Sequence, residues 1–189
     1  SFIPRDLASA AVLRPIEPQS GPLVLGVDVA RYGTNVSCAW PRRGRDASSI
    51  KPRFYQGLST TALVTRIASF ALEINASAIF VDGVGVGGGV VDGLTDLGLP
   101  VFEVLANARP DGLTGNVKTA NKRAEMWELV RQALPTLSIL DRIPGYERSI
   151  VAELSSPEYT INGADAIQLE SKEMMRRRGI ESPDAADAL

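Results

Sequence analysis

The chain contains no histidine and a single cysteine, Cys38. The first absence excludes a Ser-His-Asp triad, a histidine general base and histidine-ligated zinc. The second excludes a disulfide framework and a thiolate metal site, and fits a reducing cytoplasm. No apolar run reaches the length of a membrane span, and the first residues lack the charged-then-apolar pattern of a signal peptide, so no membrane partner is expected. A GxxxxGK loop followed by Ser or Thr is also missing, which excludes ATP binding of that kind. Hydrolytic chemistry here has to rest on carboxylates, Lys, Tyr or a bound ion. A site with oxygen donors alone favours Mg2+ or Mn2+.

What is present suits one folded domain: 189 residues, 44% of them hydrophobic, are enough for a full core. The net charge of -2 does not advertise nucleic-acid binding. Basic residues nevertheless cluster at Arg42, Arg43 and Arg45, at Lys51 and Arg53, at Lys118, Lys122 and Arg123, and at Arg176, Arg177 and Arg178. An acidic site beside basic patches sums to near neutrality, as does an ordinary mixed surface.

Patterning predicts an α/β order. Residues 1–21 hold Pro4, Pro15 and Pro18 with little periodicity and read as a linker or arm. Nearly continuous Val, Leu and Ile over 23–29 predicts a buried strand, followed by a turn at 31–34 and an antiparallel strand over 36–40. The polar, basic stretch 41–52 reads as a loop, and 53–56 as a third strand. A helix over 60–75 follows, then a strand over 78–82, a glycine-opened helix to about 97 and a strand over 100–105. This alternation argues for parallel strands with right-handed crossovers. Further on come a helix over 119–134, a short strand over 137–140 and a helical piece over 147–154. Asn162-Gly163 between two β-rich stretches predicts a hairpin. Ser171 caps a helix over 172–178, and Ser182-Pro183 starts a last helix of barely two turns, so the chain reads as truncated at its C-terminus.

Three segments carry aspartates: LVLGVDVARYG with Asp28, AIFVDGVGVGGG with Asp82, and ESPDAADAL with Asp184 and Asp187. Asp28 and Asp82 each close an apolar strand, where a lone carboxylate is poorly solvated and needs a partner. Converging, these acids would hold hard cations through oxygen. The plainer readings are a turn-capping Asp28 and, for Asp184 and Asp187 at i and i+3, acids favoured by the macrodipole of a first helical turn. Gly83-x-Gly85-x-x-Gly88, with Glu103 about twenty residues on, also matches a dinucleotide fingerprint, which makes a Rossmann-type oxidoreductase a rival. Against it, the unit is mid-chain and Asp82 would face the pyrophosphate. Lys122 and Arg123 read as a phosphate-tracking edge or as a solvated helix face, and Lys172 as a surface group or one that steadies a phosphate.

Together, FIPRDL, GVDVARYGTN, FVDGVGVGGGVVDGL, NKRAEMW and ESKEMMRRRGIESPDAADAL resemble the C-terminal nuclease domain of the large terminase subunit of tailed bacteriophages, over nearly the whole chain. The resemblance implies an RNase H-like three-layer α/β/α fold, with antiparallel strands 1–3, parallel strands after them and a late β-hairpin. It implies a metal-dependent endonuclease cutting concatemeric double-stranded viral DNA during packaging, with two Mg2+ or Mn2+ ions. The three family acids fall on Asp28, Asp82 and Asp184, with Asp187 a secondary fourth; Lys122, Arg123 and Lys172 become DNA contacts. Residues 1–20 then read as a linker from an N-terminal ATPase domain of the same polypeptide, and 21–189 as the nuclease domain. Portal, small terminase subunit and the cytoplasm of an infected bacterium follow as partners and place. A Holliday-junction resolvase and a non-enzymatic scaffold of this fold are further alternatives.

Overall fold

The structure is a computed structural model that describes residues 1–30 and 35–189; the turn expected at 31–34 lies outside the described residues. In chain order the elements are α1 (Arg5–Val12), β1 (Leu23–Asp28), β2 (Ser37–Arg43), β3 (Asp46–Ala47), β4 (Arg53–Tyr55), α2 (Thr60–Glu73), β5 (Ala78–Asp82) and α3 (Gly87–Asp96). They continue with β6 (Val101–Val104), α4 (Lys122–Ala133), β7 (Ser138–Ile139), α5 (Ile150–Ser155), β8 (Tyr159–Ile161), β9 (Ile167–Leu169), α6 (Lys172–Arg177) and α7 (Asp184–Ala188). The main sheet runs β6-β5-β1-β2-β3-β7, with β4 also on β2. β1 pairs β2 antiparallel and β5 parallel, and β5 pairs β6 parallel. This is the mixed sheet expected from the sequence, with β8 and β9 as the late hairpin.

Side-chain alternation gives the sheet two faces. Leu25 and Val27 of β1 and Ile79 and Val81 of β5 pack against Leu63, Ile67 and Phe70 of α2 and Val90 and Leu94 of α3. On the other face, Cys38 and Trp40 of β2 join α1, α4, α5 and α7 in a second core. Local chemistry sets the helix starts. Ser59, Asn121, Ser149 and Ser171 each accept a bond from a free N–H of the first helical turn.

Three features differ from the expectation. The first twenty residues, read as a linker or arm, contain the helix α1, and Phe2, Ile3, Ala8 and Ala11 are buried in the second core. The helix is 8 residues long, too short for its pattern to stand out between the prolines around it. The stretch 41–52 is only partly loop, because β2 runs to Arg43 in register with Leu23 and Asp46–Ala47 bridges to β7. Backbone pairing overrides the loop-like Pro and Arg composition there. In the hairpin, Asp165 rather than Gly163 takes the left-handed conformation, and the Asn162 side chain accepts bonds from the Ala164 and Ala166 N–H groups.

Candidate active site

Asp28 and Asp82 close two neighbouring parallel strands. The last paired residues are Val27 and Val81, so the two aspartates take the next positions, about 4.8 Å apart across the strands. Val27 and Val81 point into the α2–α3 core, so both aspartates lie on the opposite face. Asp28 is buried there, whereas Asp82 is half-exposed and its Oδ1 accepts the Val84 N–H at 3.1 Å.

The third acid arrives on α7, a helix of five residues that cannot hold itself. Its two free N–H groups at Ala185 and Ala186 donate to Glu153 Oε2 at 2.9 and 3.1 Å. The other oxygen of Glu153 accepts from the Tyr146 hydroxyl and faces Arg148 Nε at 3.4 Å. Arg148 in turn pairs with Asp184 at 2.7 Å and donates to the Ser182 carbonyl at 2.6 Å. This clamp presses α7 onto the sheet, and Gly26 of β1 makes room for it. A Cβ at Gly26 would lie 2.1 Å from the Ala188 carbonyl oxygen.

With α7 so placed, Asp187 reaches the strand ends. Lys172 Nζ sits between Asp28 Oδ2 at 3.3 Å and Asp187 Oδ2 at 2.9 Å. Asp187 Oδ1 receives the Trp127 indole N–H at 2.8 Å and faces Arg123 Nη2 at 3.4 Å. Burial pushes the Asp28 carboxyl up to about 7 against the pull of Lys172, with Asp187 and Asp184 adding to the rise. Burial works against charge on Asp187 as well, yet Arg123, Lys172 and Trp127 hold its carboxyl below the ordinary range. Two buried polar atoms remain unsatisfied here, Arg123 Nε and Asp187 Oδ2, the latter near Lys172 but without a well-aligned donor. A cleft of about 1000 Å³ opens over this face, with Asp82, Asp187 and Lys172 on its lining.

The structure sorts the sequence-derived residues. Asp28, Asp187, Lys172 and Arg123 come together, with Asp82 on the neighbouring strand end. Asp184, expected as the third acid, pairs with Arg148, and Asp187, expected as secondary, is the one that meets Lys172 across from Asp28. Arg123, expected on the DNA backbone, faces Asp187. Lys122 is not a free backbone contact: Asp111 and Glu125 hold its ammonium, and Glu125 also accepts the Asp111 and Leu113 N–H groups, pinning that loop to α4. Among the described residues no three carboxylates stand close enough to hold an ion as they are, because Lys172 occupies the space between two of them. The glycine run reads as packing: a Cβ at Gly87 would lie 1.7 Å from the Asp82 carbonyl oxygen, and one at Gly83 would strike the Glu103 side chain. Sequence reasoning missed Arg148 and Glu153 altogether. Nor did it single out Trp127, although a buried indole N–H requires an acceptor.

Glu153→Ala leaves the Tyr146 hydroxyl and two α7 N–H groups unpaired in a buried place and removes one of the acids that face Arg148. The expected loss is about 3–5 kcal/mol of stability by urea unfolding, with Glu153→Gln falling clearly short of that. Equal losses in the two variants would show that the clamp does not act through its hydrogen bonds.

No protein-family model matches this sequence, and no curated protein is similar to it. Solved structures are. The nuclease domain of the large terminase subunit of bacterial virus Sf6 superposes with a TM-score of 0.84 at 20% identity, covering 100% of this chain and 96% of that one. A variant of the same domain with manganese gives a TM-score of 0.82 at 20% identity and the same coverage. The large terminase nuclease from thermophilic phage G20c with bound magnesium gives 0.62 at 12% identity, covering 88% and 77%. The chain therefore has the fold of the terminase nuclease domains.

Proposed function

We propose that this chain, folded as the terminase nuclease domains are, is a metal-dependent endonuclease that hydrolyses phosphodiester bonds of double-stranded DNA. The observation that carries the reading is the meeting of Asp28 and Asp187 around one ammonium, beside Asp82, at the edge of an open cleft. The donor set fits a hard divalent cation. It is made of carboxylate oxygens, one buried oxygen lacks an aligned donor, and a cationic group already sits between two of the acids. Asp28, Asp82 and Asp187 would hold two Mg2+ or Mn2+ ions, which when bound supply water activation at neutral pH and stabilisation of the leaving oxygen.

The chain's own groups do the rest. Trp127 and Arg123 fix the orientation of Asp187. Lys172 balances Asp28 and Asp187 and is placed to donate to a phosphate oxygen when DNA enters. Asp184 anchors α7 through Arg148 and touches no substrate. Contacts to phosphate carry no base information, so sequence preference is slight. The biological setting proposed is the cutting of concatemeric viral DNA during genome packaging. There the domain acts beside an ATPase domain of the same polypeptide, with portal and small terminase subunit, in the cytoplasm of an infected bacterium. No helix among the described residues is long and apolar enough to cross a membrane.

Supercoiled plasmid incubated with Mn2+ or Mg2+ should become nicked and linear. EDTA should stop the reaction and excess Mn2+ should restore it. Cutting that persists in chelator would remove the metal from the mechanism, and no cutting with either ion would remove the nuclease reading.

A further inference from the structure

We propose that Arg42 and Arg45 form a second phosphate-binding subsite, which grips the DNA backbone about two to four nucleotides from the bond that is cut. This rests on the nuclease reading above and adds to it a residue pair that sets where the substrate lies.

The placement follows from the register of β1 and β2. Asp28 faces Cys38, Gly26 faces Trp40 and Val24 faces Arg42. Residues directly opposite in an antiparallel pair share a face, so Arg42 lies on the same side of the sheet as Asp28, at the far end of the strands. The four steps from Asp28 to Val24 span about 13 Å at roughly 3.3 Å each. The cleft joins the two ends: Asp82, Lys172 and Asp187 line it at one, Arg42 and Arg45 at the other. One strand of duplex DNA carries a phosphate about every 3.4 Å along the axis and winds around it, so 13 Å corresponds to about two to four phosphates.

The charge is available. Several other cations of the chain are engaged by carboxylates: Lys122 by Asp111 and Glu125, Arg148 by Asp184 and Glu153, Arg178 by Glu170, Arg131 by Glu128. Among the described residues no carboxylate pairs with Arg42 or Arg45. Asp46, the nearest acid in sequence, is turned into its own loop by the Ser48 and Ser49 N–H groups. Burial and the neighbouring Arg45 both work against the charge of Arg42, a strain that an anion relieves.

The pair is also built rather than trailing in solvent. Gly44 turns the chain with φ +54°, Arg42 Nη1 donates to the Gly44 carbonyl at 2.9 Å, and Gln19 Oε1 accepts the Arg45 N–H at 2.9 Å. The guanidinium groups therefore project from a fixed turn between two strands of the main sheet.

The test uses a fluorescein-labelled blunt duplex of about 30 base pairs, with anisotropy read in Ca2+ across a salt series and cleavage read in Mn2+. Arg42→Ala with Arg45→Ala should weaken binding about tenfold or more near 0.1 M salt and reduce the slope of log K against log salt by about 1 to 2. KM should rise while kcat at saturating DNA stays within about twofold. Arg42→Lys with Arg45→Lys should recover most of the affinity, which separates charge from folding. Arg66→Ala, exposed on α2 across the sheet, is the charge control and should change neither. A neutral methylphosphonate about two to four nucleotides from the cut should weaken the wild-type protein and leave the alanine pair unaffected. The subsite is overturned if the wild type binds and cuts but the alanine pair matches it in affinity and slope. It is equally overturned if the lysine pair is as weak as the alanine pair, or if methylphosphonate sensitivity falls elsewhere. A wild type that neither binds nor cuts would overturn the nuclease reading itself, and the subsite with it.

Discussion

Asp187→Asn lowers the rate of plasmid cutting at saturating Mn2+ by more than about 100-fold, while Asp184→Asn leaves it within about tenfold of the wild type. The first figure follows from what Asp187 faces. Its carboxylate meets Lys172 and lies across from Asp28 at the cleft, so its loss removes a ligand, and even the outer partners of a metal are typically worth 10–100-fold. The second follows from what Asp184 faces. It holds Arg148 and so the start of α7, and an asparagine keeps one acceptor for that guanidinium. Asp184→Asn should therefore show mainly in urea unfolding, as a loss of about 1–3 kcal/mol. An inactive Asp184 variant beside an active Asp187 variant would exchange the two roles.

Asp28→Asn abolishes cutting and, in the absence of divalent ions at pH 8, makes the protein more stable than the wild type. Burial lifts the Asp28 carboxyl to about 7 in the folded chain, whereas an unfolded aspartate titrates near 3.9. Between those values the folded state holds a proton that the unfolded state has released, so folding stability falls as pH rises. Above pH 7 the full penalty is present, on the order of 2–4 kcal/mol. Asparagine carries no charge and escapes it. Thermal unfolding in EDTA should show the variant ahead by roughly 4–10 °C at pH 8, a lead that shrinks toward pH 4. Mn2+ should raise the wild-type midpoint and leave the variant's nearly unchanged. A lead that is the same at every pH would mean that the charge of Asp28 is not the source.

The parts of the site that local sequence could show were those set by local structure. Asp28 and Asp82 each end an apolar strand, and the alternation of strands and helices after residue 60 makes β1, β5 and β6 parallel neighbours. Which of Asp184 and Asp187 meets Lys172 has no local signature. The two share a helix face at i and i+3, and Arg148, 36 residues earlier in the chain, takes Asp184. Lys122 has the same difficulty: it looks like a phosphate contact until the loop before α4 brings Asp111 onto it, beside Glu125 of the same helix turn. The helix α1 escaped because it is only 8 residues long, between Pro4 and Pro15 in a stretch that reads as a linker. Arg42 and Arg45 were visible as a basic cluster, but only the register of β1 and β2 puts Arg42 on the face that carries Asp28.

A crystal soaked in Mn2+ and read for anomalous scattering tests most directly whether these carboxylates form a metal centre. The expected result is density in contact with Asp28 and with Asp82 or Asp187, at about 2.0–2.2 Å from the carboxylate oxygens, with the Lys172 ammonium displaced from between Asp28 and Asp187. Peaks only at other surface acids, or an ion held by Asp184 with Asp28 still paired to Lys172, would contradict it.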